Sequence, residues 1–153
     1  QLTGFLLIKV YTDGSCLGNP GNGGWAFLVN IKGVISSRSG YSLGTTNNQM
    51  ELTAAIKAIE YLVNHKEIHI YTDSNYVKNG ITSWIINWKE NNWKTASKNP
   101  VKNKDLWERL DKLNYLKKIE WKWVKAHETN KLNNKVDLLA RQSAETLTES
   151  AFN

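Results

Sequence analysis

Two acidic residues close the same tripeptide. Tyr11-Thr12-Asp13 follows the apolar run FLLIKV, and Tyr71-Thr72-Asp73 follows EIHI sixty residues later. Asp followed by Gly or Ser is common turn chemistry, and that is the plain structural reading of both. The chemical reading is that two strands deliver two carboxylates to one place. Two further acids stand near predicted helix starts. Glu51 lies three residues after Asn48, a capping-box spacing, and Asp137 lies where an acid favours the helix dipole. Each acid alone has an ordinary structural explanation. Together they offer oxygen ligands without a Cys/His cluster, which points to a hard cation, Mg²⁺ or Mn²⁺, and not to zinc. A pair of such ions about 3.5–4 Å apart would neutralise the acids and clamp a scissile phosphate.

The elements that must position these residues are legible in the periodicity. Residues 5–12, 23–31 and 33–43 read as strands, the last two joined by a tight turn at Lys32-Gly33. The first three strands are therefore expected to be antiparallel. From residue 47 the period changes: Met50, Ala54, Ala58 and Tyr61 share a helical stripe, with Ala55, Ile59 and Leu62 beside it. Residues 67–72 form a fourth strand, and the intervening helix lets it pair parallel to the first. Residues 75–90 and 103–116 read as helical. Residues 118–126 alternate as a fifth strand, with Ile119, Trp121 and Trp123 on one face, and 134–147 form a last helix. The expected fold class is α/β: a five-stranded mixed sheet flanked by helices, its last two strands parallel to the first. In that sheet Asp13 and Asp73 sit at equivalent ends of neighbouring strands about 5 Å apart. Their mutual repulsion demands a positive charge between them.

The chain of 153 residues is expected to form one domain over 1–153, with about 147–153 a mobile tail. It starts at Gln1 and not Met, so a trimmed start is expected. The single cysteine, Cys16, excludes an intramolecular disulfide and suits a reducing, cytoplasmic setting. No run is long enough to span a membrane, and GFLLIKV lacks the basic lead-in of a secretory signal. The net charge of +6 suits a polyanionic partner, nucleic acid first. Between Trp84 and Lys104, Lys89, Lys94, Lys98, Lys102 and Lys104 stand against one acid, Glu90, and Trp84, Trp88 and Trp93 interleave with them. Ile81, Trp84, Ile85 and Trp88 also make a helical stripe, so core packing competes with nucleic-acid contact for these rings. Nothing demands more than a monomer.

With the stretches YTDGSCLGNPGNGGWAFLV, TTNNQMELTAAIKAIEYL, YTDSNYVKNGITSWIINWK, WKTASKNPVKNKDLWERLD and WKWVKAHETNKLNNKVDLLA, the chain resembles type 1 ribonuclease H in its bacterial single-domain form, from about residue 8 to residue 145. The resemblance implies a metal-dependent endonuclease that hydrolyses the RNA strand of RNA–DNA hybrids, leaving 5′-phosphate and 3′-hydroxyl ends with two Mg²⁺ ions. It makes Asp13, Glu51, Asp73 and Asp137 the metal-binding catalytic acids. His127, in the polar loop after the fifth strand, takes the family's role in proton transfer or product release; His65 and His69 read as surface or packing residues. Backbone groups near Cys16 and Asn19, and the side chains of Asn47 and Asn48, match positions that read the RNA strand. Thr46 and Asn103 match a pocket for a DNA phosphate. Tyr76 and Trp84 match the DNA-strand channel, Lys94 and Lys98 the basic protrusion, and Asn75 a minor-groove contact.

Some positions depart from the family pattern. Asn75 stands where relatives often have Gln, Glu90-Asn91-Asn92 replaces a more basic turn, Leu43 and Gly44 offer no Arg to the phosphate pocket, and Ala126 stands where Gly often precedes the histidine. These bear on affinity more than on chemistry. Three rivals remain at this point: a hybrid-binding module without catalysis, a glycoside hydrolase with paired carboxylates and tryptophan platforms, and another polynucleotidyl transferase of the same fold. Four intact acids oppose the first, and the basic charge opposes the second. The asparagines and the basic protrusion favour ribonuclease H over the third.

Overall fold

A computed structural model describes residues 7–125 and 131–153. In chain order the elements are β1 (Ile8–Gly18), β2 (Gly21–Ile31), β3 (Val34–Thr45), α1 (Asn47–Tyr61), β4 (Glu67–Thr72), α2 (Asn75–Asn79), a π-helical turn (Gly80–Trp84), α3 (Ile85–Glu90), α4 (Lys104–Tyr115), β5 (Lys118–Trp123), α5 (Lys131–Thr146) and β6 (Ser150–Phe152). One mixed sheet runs in the order β5-β4-β1-β2-β3-β6. β1, β2 and β3 are antiparallel neighbours, whereas β4 lies parallel to β1 and β5 parallel to β4.

Alternation along the central strands builds two cores, because successive side chains leave opposite faces of a strand. Val10, Phe27 and Ile70 pack with Leu52, Ile56 and Ile59 of α1 and with Trp107 and Leu110 of α4. Tyr11, Ala26 and Leu28 face the other way, onto Val136 and Ala140 of α5. The β2–β3 hairpin closes at Lys32 and Gly33, whose φ angles of 52° and 84° are those of a two-residue turn that follows the strand twist. Asn30 Oδ1 accepts from the Gly33 amide at 2.8 Å.

The structure departs from the sequence reading in several places. The sheet has six strands and not five, because residues 150–152 of the expected tail pair antiparallel with β3 at Ser37–Ser39. β1 continues to Gly18, so Asp13-Gly14 is not a turn; Asp13 sits mid-strand opposite Ala26, and Gly14 opposite Trp25. The helix expected over 75–90 is interrupted by the π-helical turn at Gly80–Trp84. Gly80 is needed there because a Cβ would collide with the buried Trp107 ring. Finally, α1 is capped by Thr46, whose hydroxyl accepts from the Gln49 amide at 3.2 Å, and not by Asn48. β3 runs to Thr45, which leaves Thr46 as the first residue free to turn, so the capping explanation of Glu51 falls away.

Candidate active site

Register brings the acids together. Lys9, Val10 and Tyr11 of β1 pair with His69, Ile70 and Tyr71 of β4, a constant offset of sixty. The same offset sets Asp13 beside Asp73, which lies just past the end of β4. The repeated Tyr-Thr-Asp is thus two strands in step, and the two tyrosine rings stack at 4.9 Å.

α1 supplies the third carboxylate. Its first turns press on β1 at Gly14, where a Cβ would lie 2.5 Å from the Glu51 amide nitrogen. Only glycine permits that approach, and the approach aims Glu51 at Asp13. One carboxylate oxygen each from Asp13, Glu51 and Asp73 lies within 4.8 Å of the other two. Asp13 and Glu51 are 4% and 6% exposed.

Asp137 comes from α5, which reaches the opposite face of the sheet. It lies in the second turn of that helix, because α5 starts at Lys131 and not at 134. A helix dipole falls off within the first turn, so it no longer explains the acid. Gly24 plays the part on β2 that Gly14 plays on β1: a Cβ there would strike the Ala140 carbonyl of α5.

This gathering of charge is costly without a counter-ion. Burial, then the charges of Asp73 and Asp137, push the Asp13 carboxyl up to about 8. Burial, with the charges of Asp13 and Asp73, holds the Glu51 carboxyl well above the ordinary carboxylate range. Glu51 Oε1 is buried and accepts no hydrogen bond from the described residues. A divalent cation satisfies all three observations, and an oxygen-only donor set suits a hard one. Trp123, which sequence reasoning did not single out for the site, donates its indole N–H to the Asp73 carbonyl at 3.1 Å. His127 and Ala126 lie outside the described residues.

The residues matched to substrate contact fall into two groups beside the acids. Asn19 Oδ1 accepts from the Asn47 amide at 3.0 Å, tying the β1–β2 loop to the start of α1. Cys16 is half-buried and directs its thiol at the carbonyls of Thr45 and Gly21, so only its backbone remains to meet a ligand. Asn47 and Asn48 are exposed on the first turn of α1. In the second group, Asn103 stands at φ 60°, ψ 31° before α4 and donates to the Tyr76 hydroxyl at 3.1 Å. The Tyr76 ring lies 5.9 Å from Trp84 and 5.2 Å from Trp107. Trp84 is 39% exposed, whereas Ile81 and Ile85 of its predicted stripe are buried. Asn75 is exposed at the first position of α2, which Ser74 caps.

Lys94 and Lys98 are exposed on a separate loop after α3, held by the Lys94–Pro100 bridge. Lys89 instead pairs with Asp111 at 3.1 Å. His69 bonds Glu120 at 3.1 Å across the β4–β5 pair, in agreement with a packing role. Gln49 was missed altogether. Thr46-x-x-Gln49 is itself a capping-box pattern, so the signal was present but overshadowed by Asn48-x-x-Glu51.

The ribonuclease H family model matches residues 7–145. The chain is 51% identical to Ribonuclease H of Hydrogenovibrio crunogenus, covering 92% of this chain and 97% of that relative. It is 54% identical to Ribonuclease HI of Xylella fastidiosa (strain Temecula1), covering 90% and 92%. Among solved structures it superposes on LC9-RNase H1, a type 1 ribonuclease H with the type 2 active-site motif, with a TM-score of 0.85 at 30% identity, over all of this chain and 80% of the other. A foamy viral protease-reverse transcriptase shares the fold at a TM-score of 0.80 and 23% identity, over 92% of this chain and 96% of that one. The helix-flanked mixed sheet, the acids it gathers and these likenesses agree: the chain belongs to the ribonuclease H family in its type 1 bacterial form, hydrolases that act on the RNA of RNA–DNA hybrids.

Proposed function

We propose that the chain cuts the RNA strand of RNA–DNA hybrids endonucleolytically by a two-metal-ion mechanism, leaving 5′-phosphate and 3′-hydroxyl ends. The observation that carries this reading is the set of three carboxylate oxygens, from Asp13, Glu51 and Asp73, within 4.8 Å of one another. Mg²⁺ suits these hard oxygen ligands, with Mn²⁺ as the alternative. When bound, the ions supply Lewis-acid stabilisation of the attacking and leaving oxygens of an in-line displacement. Asp13, Glu51, Asp73 and Asp137 would hold the ions, with Asp13 as the ligand they would share. Asp13 and Glu51 must lose their protons to act as ligands, so loading the site releases protons. His127 would move a proton near the attacking water or help the product leave.

The chain's own residues also hold and orient the hybrid. Backbone groups at Cys16 and Asn19, with the amides of Asn47 and Asn48, would read 2′-hydroxyls of the RNA strand, since an amide both donates and accepts. Thr46 and Asn103 would hold a DNA phosphate, Tyr76 and Trp84 the DNA strand, and Asn75 the minor groove. Lys94 and Lys98 would meet backbone phosphates. The chain would form one domain over 1–153 and act as a monomer in the cytoplasm. No described helix is long and apolar enough to cross a membrane.

The test is incubation with end-labelled RNA paired to DNA, and separately with an RNA–RNA duplex, in Mg²⁺ or in EDTA. Mg²⁺-dependent cutting of the hybrid alone is expected. Tight hybrid binding without cutting would leave a binding module in its place.

A further inference from the structure

A chain of directed hydrogen bonds leads from the end of β3 to the rings beside α4. The Thr45 hydroxyl donates to Gln49 Oε1 at 2.7 Å. Gln49 Nε2 donates to Asn103 Oδ1 at 3.1 Å, across fifty-four residues of sequence. Asn103 Nδ2 donates to the Tyr76 hydroxyl at 3.1 Å, and Trp107 Nε1 donates to the same oxygen at 2.9 Å. The indole N–H can only donate. The Asn103 amide donates to Tyr76 because its oxygen is taken by Gln49.

A phenol has two acceptor sites and one proton. Both acceptor sites on Tyr76 are filled from inside the protein, so the proton has to point elsewhere. Asn103 is free for this task because its side chain does not cap α4, the usual work of Asn at that position. Among the described residues, the Gln49 side chain bonds Thr45 and Asn103 and so bridges two elements, with no return bond to its own cap.

We propose that Gln49 is a positioning residue that fixes the Asn103 amide and thereby makes the Tyr76 hydroxyl an obligate hydrogen-bond donor to an oxygen of the DNA strand. This rests on the reading of Asn103 and Tyr76 as DNA-strand contacts. A phosphate or sugar oxygen only accepts, so a donor of fixed polarity fits it. The same side chain sits two residues from Asn47 and one from Asn48. It therefore ties the α1 turn assigned to the RNA strand to the residues assigned to the DNA strand.

The test is a double-mutant cycle of Gln49→Met and Tyr76→Phe. Hybrid dissociation constants are measured in EDTA, where nothing is cut, and KM and kcat are measured in Mg²⁺. Each single variant is expected to weaken binding and raise KM about fivefold, the effect of one hydrogen bond, with kcat within twofold of wild type. Gln49→Met should keep the wild-type melting temperature, whereas Tyr76→Phe lowers it because the buried Trp107 indole loses its acceptor. Binding is therefore read at a temperature where every variant is folded. The double variant should be no weaker than Tyr76→Phe alone. Multiplicative losses, a fall in kcat, or no change in binding on Gln49→Met would overturn the proposal. A wild-type protein that binds but fails to cut would sink the mechanism above and leave this cycle readable in EDTA. If Gln49→Met lowers the melting temperature, Gln49→Leu gives a second route, and it too must be non-additive with Tyr76→Phe.

Discussion

Glu51 and Asp13 show how much of this site is written against the stability of the metal-free protein. Both are buried acids, and folding raises the affinity of each for a proton. Between the ordinary carboxylate value of about 4 and the Asp13 value of about 8, the folded protein therefore binds more protons than the unfolded chain. Stability held at low pH is lost as pH rises through that window. The metal-free melting temperature should fall from pH 5.5 to pH 8. Asp13→Asn should flatten that fall, abolish cleavage, and leave hybrid binding intact or tighter, because a negative charge facing phosphate is removed. Melting curves in EDTA with a parallel cleavage assay check this, and unchanged turnover would end the catalytic assignment. The residue types and spacing of Asp13 and Asp73 were legible because a strand register preserves an offset. The burial of Glu51 was not, since two overlapping cap patterns compete in TTNNQMEL and only the end of β3 decides between them.

At the scale of the element, α1 is fixed at both ends by contacts that periodicity cannot reveal. At its start, Gly14→Ala would set a Cβ 2.5 Å from backbone atoms of Met50 and Glu51. Overpacking of this kind costs roughly 1–3 kcal/mol, and here it also moves a carboxylate. The expected outcome is a lower melting temperature together with weaker Mg²⁺ binding by titration; loss of stability alone would mean that the helix shifts without disturbing Glu51. At its other end, the Lys117 ammonium donates to the carbonyls of Leu62, Val63 and His65 at 2.8, 3.1 and 2.6 Å. Lys117→Met removes this cation from a helix C-terminus and should destabilise by about 1 kcal/mol in denaturant titration. The π-helical turn also escaped the sequence. Residue types over 75–90 favour helix throughout, whereas the π-helical turn coincides with the close contact of Gly80 and Trp107, which joins distant segments.

Across the whole molecule, a centre of acids sits in a chain of net charge +6. The excess of lysine is not evenly available to a ligand. Lys89 is engaged with Asp111, whereas Lys94 and Lys98 stand exposed on their loop. Changing Lys94 and Lys98 to Ala should raise KM for the hybrid and reduce the slope of log KM against log salt by about 1–2. Lys89→Ala should change that slope less. A slope equal to wild type in the double variant would remove the loop from the substrate-binding face. The parallel pairing of β4 with β1 was legible in the sequence because the helix after β3 allows a crossover connection. The sixth strand was not, since three residues are too few for alternation to register and its partner is known only once β3 is an edge.

That last strand has a consequence for association between copies. Without it, β3 would present the unpaired amides and carbonyls of a twelve-residue edge, a ready template for a second chain. β6 covers its middle at Ser37–Ser39, and Arg38 reinforces the closure by donating to the Phe152 carbonyl at 3.2 Å and to Asn153 Oδ1 at 2.8 Å. The opposite edge, β5, guards itself with Lys118, Glu120 and Lys122. Deleting residues 148–153 should therefore leave the acids in place and the enzyme active when dilute, yet bring concentration-dependent self-association in sedimentation. If so, the short closing strand would serve as a lid against polymerisation, and its value would be read in solubility before it was read in catalysis.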